Sequence, residues 1–329
     1  MVNNIVYLLN FLSNDTARTQ LFKSPVGMLA TAQSSLAMST IVSTAGYVTE
    51  LKTYENSYRI INGQSVALNA ILSNPTATLN YLTGDALADL VQNEVGMHYI
   101  ANNNSYIVTL LLNPVARAAM DTSEVVTNAI NNSSYAIDCI FANANAVISF
   151  FKDNLLATVI TSTYAMNHIC NTKDYINIML LNNTARTAMD NAPIVQKAIN
   201  TSNYALNTIL LDERATRTFL TGGLLDAMAA SYDAMEYISS VEAHITTVFN
   251  NRTAMLVVIN AIPAMDEISN NIISRNVVYN HRYLEDLMDV DHAAAKLIAG
   301  FAGLDVYKIP NLFILMASAS NVEAILADD

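Results

Sequence analysis

A ten-residue repeat constrains this chain more than any other feature. The stretch Leu111 to Phe141, LLNPVARAAMDTSEVVTNAINNSSYAIDCIF, returns in closely related form as Leu180 to Leu210, LLNNTARTAMDNAPIVQKAINTSNYALNTIL. Within the first copy one short phrase recurs every ten residues, at Ala116 to Met120, Val126 to Ile130 and Ala136 to Ile140. A small residue usually marks the phase, and the markers run from Tyr7, Ala17, Gly27 and Ala37 through Ala116, Val126 and Ala136 to Ala254 and Ala264. The repeat array is therefore assigned to residues 1–270, and residues 271–329 follow a different pattern.

Ten residues at 3.6 per turn leave an apolar stripe about 80° short of closure, so one continuous helix would wind that stripe around its axis. The chain instead carries breakers in phase with the repeat. Pro25, Pro75, Pro114, Pro193 and Pro263 each stand one or two residues before a marker, in the first helical turn, where a missing N–H is harmless. Gly63, Gly84, Gly222 and Gly223 fall between markers, where a reversal can use positive φ. Each decapeptide is thus predicted to be a helix of about two turns plus a tight connection. In one unit Ser133 and Ser134 cap, Tyr135 to Ala142 coil, and Asn143 leaves in a left-handed conformation. Ala136, Ile137, Ile140 and Phe141 then share a face. Two turns do not repay helix nucleation, so stability must come from stacked neighbours. Glycine at the Gly27 and Gly96 markers implies that adjacent helices approach closely there.

Phrases of the type S-x-Y-A recur at Ala37, Ala67, Gly96, Ala136, Ala165, Ala205, Ala234 and Ala264, one in every three repeats and twice one in four. That spacing predicts three short helices per superhelical turn, with an additional helix near Tyr106 and another near Ile176. The expected fold is all-α: a solenoid-like array closed by a C-terminal helical cap over residues 271–329. The cap would contain an amphipathic helix from Tyr283 to Ala299, a break at Gly300 to Gly303, a second helical stretch from Pro310 and a polar, acidic end.

Apolar residues make up 52% and charged residues 13% of the chain, which is dry for a soluble monomer and points to a homo-oligomer. A net charge of -12 with sixteen Lys plus Arg argues against nucleic acid as a partner, because phosphate contacts need clustered cations. No apolar run has the length of a bilayer span, and Ile5 to Leu12 lacks the cationic flank of a signal peptide. Cys139 and Cys170 cannot build a disulfide framework and suit a reducing cytoplasm. Sequons such as those at Asn132, Asn200 and Asn251 lie at unit boundaries and read as helix caps, not glycosylation sites.

Residues able to do chemistry are scattered. His98, His168, His244, His281 and His292 show no paired zinc spacing. Asp286, Asp289, Asp291 and His292 form the best local cluster, read first as an acidic helix face and second as a group able to hold a cation. Cys139 and His168 share one offset in successive units but lack an activating third group. Arg117 with Asp121, and Arg186 with Asp190, read as surface pairs across one helical turn, contributing a few tenths of a kcal/mol. Tyr135, Tyr164 and Tyr204 precede their markers as a ladder, read first as packing between turns and second as a surface for sugars. No phosphate loop or nucleophile elbow is present. No catalytic, cofactor-binding or metal-ligating residue is assigned, and the chain reads as no enzyme; a hydrolase built on the acidic C-terminal cluster ranks third among the readings.

The phrases at Ser34 to Ile41, Thr161 to Ile169 and Tyr232 to Ile238, of the kind S-x-x-A-M-x-x-I, resemble the low-complexity helical repeats of some bacteriophage virion proteins, as does Ala302-Gly303-Leu304-Asp305. The resemblance covers most of the chain and is compositional. It implies a structural part of the virion, in the tail, in a fibre or at its attachment site, made in the host cytoplasm and contacting other virion proteins. It brings no catalytic residues. The runner-up is a cytoplasmic α-solenoid adaptor that binds a protein along its repeated face.

Overall fold

The computed structural model describes residues 5–279. Among them are 28 α-helices of seven to nine residues, from Ile5–Ser13 to Ile272–Tyr279, and no strand. The all-α, solenoid-like array of two-turn helices is as expected. The chain forms two compact units, divided between Ala165 and Met166.

Capping sets the phase. Ser133 is extended at φ -122, and its Oγ accepts the amide of the marker Ala136 at 3.0 Å. Asn93 treats Gly96 the same way, Ser202 treats Ala205, and Asn251 treats Ala254. A marker is therefore the third helical residue, and its N–H is one that the helix cannot satisfy from within. All five phased prolines occupy the first or second helical position. The expected left-handed exit is not found at Asn143, which is extended (φ -126) and caps the next helix, nor at Gly63 (φ -92). The chain more often turns through a right-handed C-cap followed by an extended N-cap. At some corners one residue serves both helices: Asn113, Asn182 and Asp212, for example, each end one helix and accept amides of the next. Of the sequon residues Asn132, Asn200 and Asn251, the last is an N-cap. Asn132 ends its helix, and Asn200 reaches across to donate to the Ala227 carbonyl at 3.0 Å.

Within the first unit Pro25–Ala32 packs on Glu55–Asn62, which packs on Gly84–Leu90; Ser35–Val42 packs on Ser65–Leu72. Within the second, Pro193–Asn200 packs on Gly222–Ala229, which packs on Arg252–Ile259, and Tyr232–Ser240 packs on Ile262–Asn270. Each partner is the third helix onward, so a turn holds three helices. The two additional helices are Tyr106–Leu112 and Tyr175–Leu181, and each packs on both the third and the fourth helix after it. Left-handed residues precede them, Asn104 and Ser105 at φ 48 and 56 and Lys173 at φ 45.

Four positions per unit build the core: Ala136, Ile137, Ile140 and Phe141 are buried, and each large side chain contributes about 1.5–3 kcal/mol relative to exposure. Markers face the preceding turn. Ser57, itself a marker, donates to the Phe22 carbonyl, and a Cβ at Gly96 would overlap the Asn62 carbonyl oxygen. The first marker, Tyr7, is 67% exposed, while Ala37 is fully buried. Ile272–Tyr279 continues the short-helix pattern and packs on Glu242–Asn250. The segments expected to form the cap, with His281, Asp286, Asp289, Asp291 and His292, lie outside the described residues.

Candidate functional site

Among the described residues three joints punctuate the array at equal intervals. At Leu82, Phe151 and Leu220 a helix ends with ψ between 43 and 52. Two residues later Gly84, Asp153 and Gly222 take φ of 60, 49 and 58. Successive joints are separated by the same interval that separates Leu111 from Leu180. Each joint leaves carbonyls of its last turn pointing away from any intrahelical donor, and a cation from the preceding turn meets them. Arg117 Nε donates to Ser149 O at 2.9 Å and Nη2 to Lys152 O at 3.1 Å. Arg186 Nε donates to Thr218 O and Nη2 to Thr221 O, both at 2.8 Å. In the first joint Lys52 Nζ donates to Asn80 O at 2.6 Å and bonds Thr83 Oγ1.

The sequence places the two arginines at the surface, but their side chains are only 11% and 12% exposed. Asp121 and Asp190 contact them at 2.6 Å, in the Arg186 case as an ion pair without hydrogen-bond alignment. Each aspartate also accepts an amide of the following turn, from Leu155 at 3.3 Å and from Leu224 at 3.2 Å. These are clamps between turns, not ornaments of one helix. Sequence spacing misses them because their partners are backbone carbonyls a full turn away, which leave no side-chain signature.

The remaining candidates do not converge. Among the described residues no group of three His, Cys, Asp or Glu is placed to hold a metal ion. Cys139 Sγ accepts from Ser105 Oγ at 3.2 Å. Cys170 is buried, and loss of solvent pushes its thiol up to about 12, so it stays protonated. His168 Nδ1 lies 3.4 Å from Thr172 Oγ1. His244 is buried beside Tyr237, with ring centroids 5.4 Å apart; burial lowers its pKa, and its Nδ1 has no hydrogen-bond partner. His98 lines a groove of about 450 Å3 with Glu94, Val95, Val125, Asn128 and Ala129. Two further grooves sit at corners, one of about 440 Å3 over Leu112, Arg117 and Ile148, the other of about 500 Å3 over Leu211, Arg217 and Thr247.

Tyr135, Tyr164 and Tyr204 are 42%, 50% and 47% exposed, so packing between turns is not their role. A helical wheel explains this: the arc that gathers Ala136, Ile137, Ile140 and Phe141 leaves the residue before the marker almost opposite. That signal is present in the sequence. Among the described residues no helix is long and apolar enough to cross a membrane. No family model matches the sequence, and no match is found among curated proteins.

Proposed function

We propose that this chain is a non-enzymatic, multimeric structural component of a bacteriophage virion, placed in the tail, in a fibre or at its attachment site, where it holds other virion proteins. The observation that carries the reading is the use made of buried polar groups. Arg117, Arg186, Ser57, Ser123, Ser133 and Asn200 all tie one turn to another, which suits a part that bears load. The likeness of its Ala/Met phrases to virion repeats supplies the setting, and a charge of -12 favours protein partners over nucleic acid. Mass spectrometry of purified particles tests it: the chain is expected at a fixed, multiple copy number. Particles that are complete and infectious without it would sink the reading.

A second reading, an α-solenoid adaptor, draws on the two corner grooves, each bordered by an exposed leucine, Leu112 at 46% and Leu211 at 66%. A monomer in solution that retains a peptide through these leucines would favour it.

A further inference from the structure

Tyr135, Tyr164 and Tyr204 share one local arrangement. Each stands one helical turn before a planar, hydrogen-bonding side chain: Tyr135 before Asp138, Tyr164 before Asn167 and Tyr204 before Asn207. Residues three apart lie on the same helix face, and none of these polar partners is buried. Among the described residues the three rings stack on no other ring and on no cation, unlike Tyr99 with Tyr106 or Arg18 with Tyr47. Their open faces are therefore not consumed by the fold. Burying a tyrosine is within the chain's means, as the wholly buried Tyr81 shows.

An open aromatic ring beside an amide or carboxylate has the chemistry that recognises a sugar. The ring covers the C–H face of a pyranose, and the planar group bridges neighbouring hydroxyls. The helices that carry the pairs, SYAIDCIF, TYAMNHIC and NYALNTILL, contain no lysine or arginine, so nothing there would neutralise a sialic acid or a phosphate. In the first unit Tyr135 and Tyr164 belong to consecutive turns, joined where Ser162 Oγ donates to Asn131 O at 3.5 Å. We propose that each pair is by itself a subsite for an uncharged glycan, independently of whether the protein belongs to a virion.

A glycan array carrying neutral and acidic oligosaccharides, probed with the full chain, tests this. Retention of neutral glycans is expected. Replacing Tyr135, Tyr164 and Tyr204 together by Ala should weaken the best ligand by about tenfold or more, with the helical circular dichroism spectrum unchanged, whereas the triple Phe variant should keep binding because the ring face remains. Asn167→Ala with Asn207→Ala should weaken it without touching a ring, which keeps the test decisive if the triple Ala variant misfolds. The proposal is overturned if no neutral glycan is retained, if only acidic glycans are, if a protein is the sole occupant of this face, or if binding ignores the tyrosine and asparagine variants.

Discussion

At Gly96 a methyl group changes sign depending on its surroundings. Ala is the better helix former by about 0.8–1 kcal/mol, but here the added Cβ would overlap the Asn62 carbonyl oxygen, which belongs to the backbone of the preceding turn. Gly96→Ala is expected to destabilise by about 1–3 kcal/mol through overpacking. Gly46, with nothing within 4 Å of its Cβ position, is the control, and Gly46→Ala should stabilise by about 0.5–1 kcal/mol. Urea unfolding followed by circular dichroism reads both, and equal losses at the two sites would refute close approach as the reason for glycine. His244 is a different kind of residue-scale defect: it holds the buried third helical position that Ala234 and Ala254 fill in neighbouring units. Because burial lowers its folded-state pKa below the usual 6.5, the unfolded chain takes up the proton first as pH falls. Stability is then fully present above the unfolded value and is lost as pH drops through it toward the folded one. His244→Met should remove that slope and, by relieving the partnerless Nδ1, stabilise by about 1–3 kcal/mol. A melting temperature that keeps its wild-type fall from pH 7 to pH 5 in the variant would place the proton elsewhere.

Among elements, the joint is the informative one. Its three copies need a cation, yet they obtain it from different positions. Arg117 and Arg186 pair with Asp121 and Asp190 four residues on, while in the first copy those two positions are Val48 and Lys52. Lys52 thus stands where an aspartate stands later, and it reaches the same carbonyl from there. Lys52→Asp should leave the Asn80 carbonyl without its donor and add an unpaired acid, destabilising by about 2–4 kcal/mol. Adding Val48→Arg rebuilds the pair of the other joints and should recover more than half of the loss. If the double variant is no more stable than Lys52→Asp alone, the joints are not equivalent. Element phase is legible in the sequence because caps and prolines act on neighbouring residues, so their signals stay local, and the small markers repeat in register with them. The clamps are not, since an arginine four residues from an aspartate has one spacing whether the pair is solvated or buried between turns. The tyrosines fall between these cases: their outward direction follows from the wheel, but the expectation of a packed ladder draws on the aromatic character alone. Asn200 escapes for the same reason as the arginines, its partner being the distant Ala227 carbonyl.

Across the whole molecule the natural unit is seven helices, not one. Gly84, Asp153 and Gly222, the left-handed entries at Asn104 and Lys173, and the clamps at Arg117 and Arg186 all recur at the interval from Leu111 to Leu180. In an array of this kind stability is close to a sum of unit terms and nearest-neighbour terms, so removing whole units should be tolerated where removing fractions is not. Excising Leu111 to Met179 joins Leu110 to Leu180 and regenerates the helix YIVTLLL letter for letter, since Leu180 and Leu181 repeat Leu111 and Leu112. The corner that follows is then capped by Asn182 in place of Asn113, and the next clamp is Arg186 with Asp190 in place of Arg117 with Asp121. The shortened chain is expected to fold with the ellipticity per residue of the parent and a single cooperative transition. An excision of half that length puts a joint where a two-turn helix should stack, and it should lose cooperativity or aggregate. If both excisions fold equally well, the decapeptide alone is the structural unit and the longer, seven-helix period is a relic of duplication; if both fail, the turns depend on contacts beyond their neighbours.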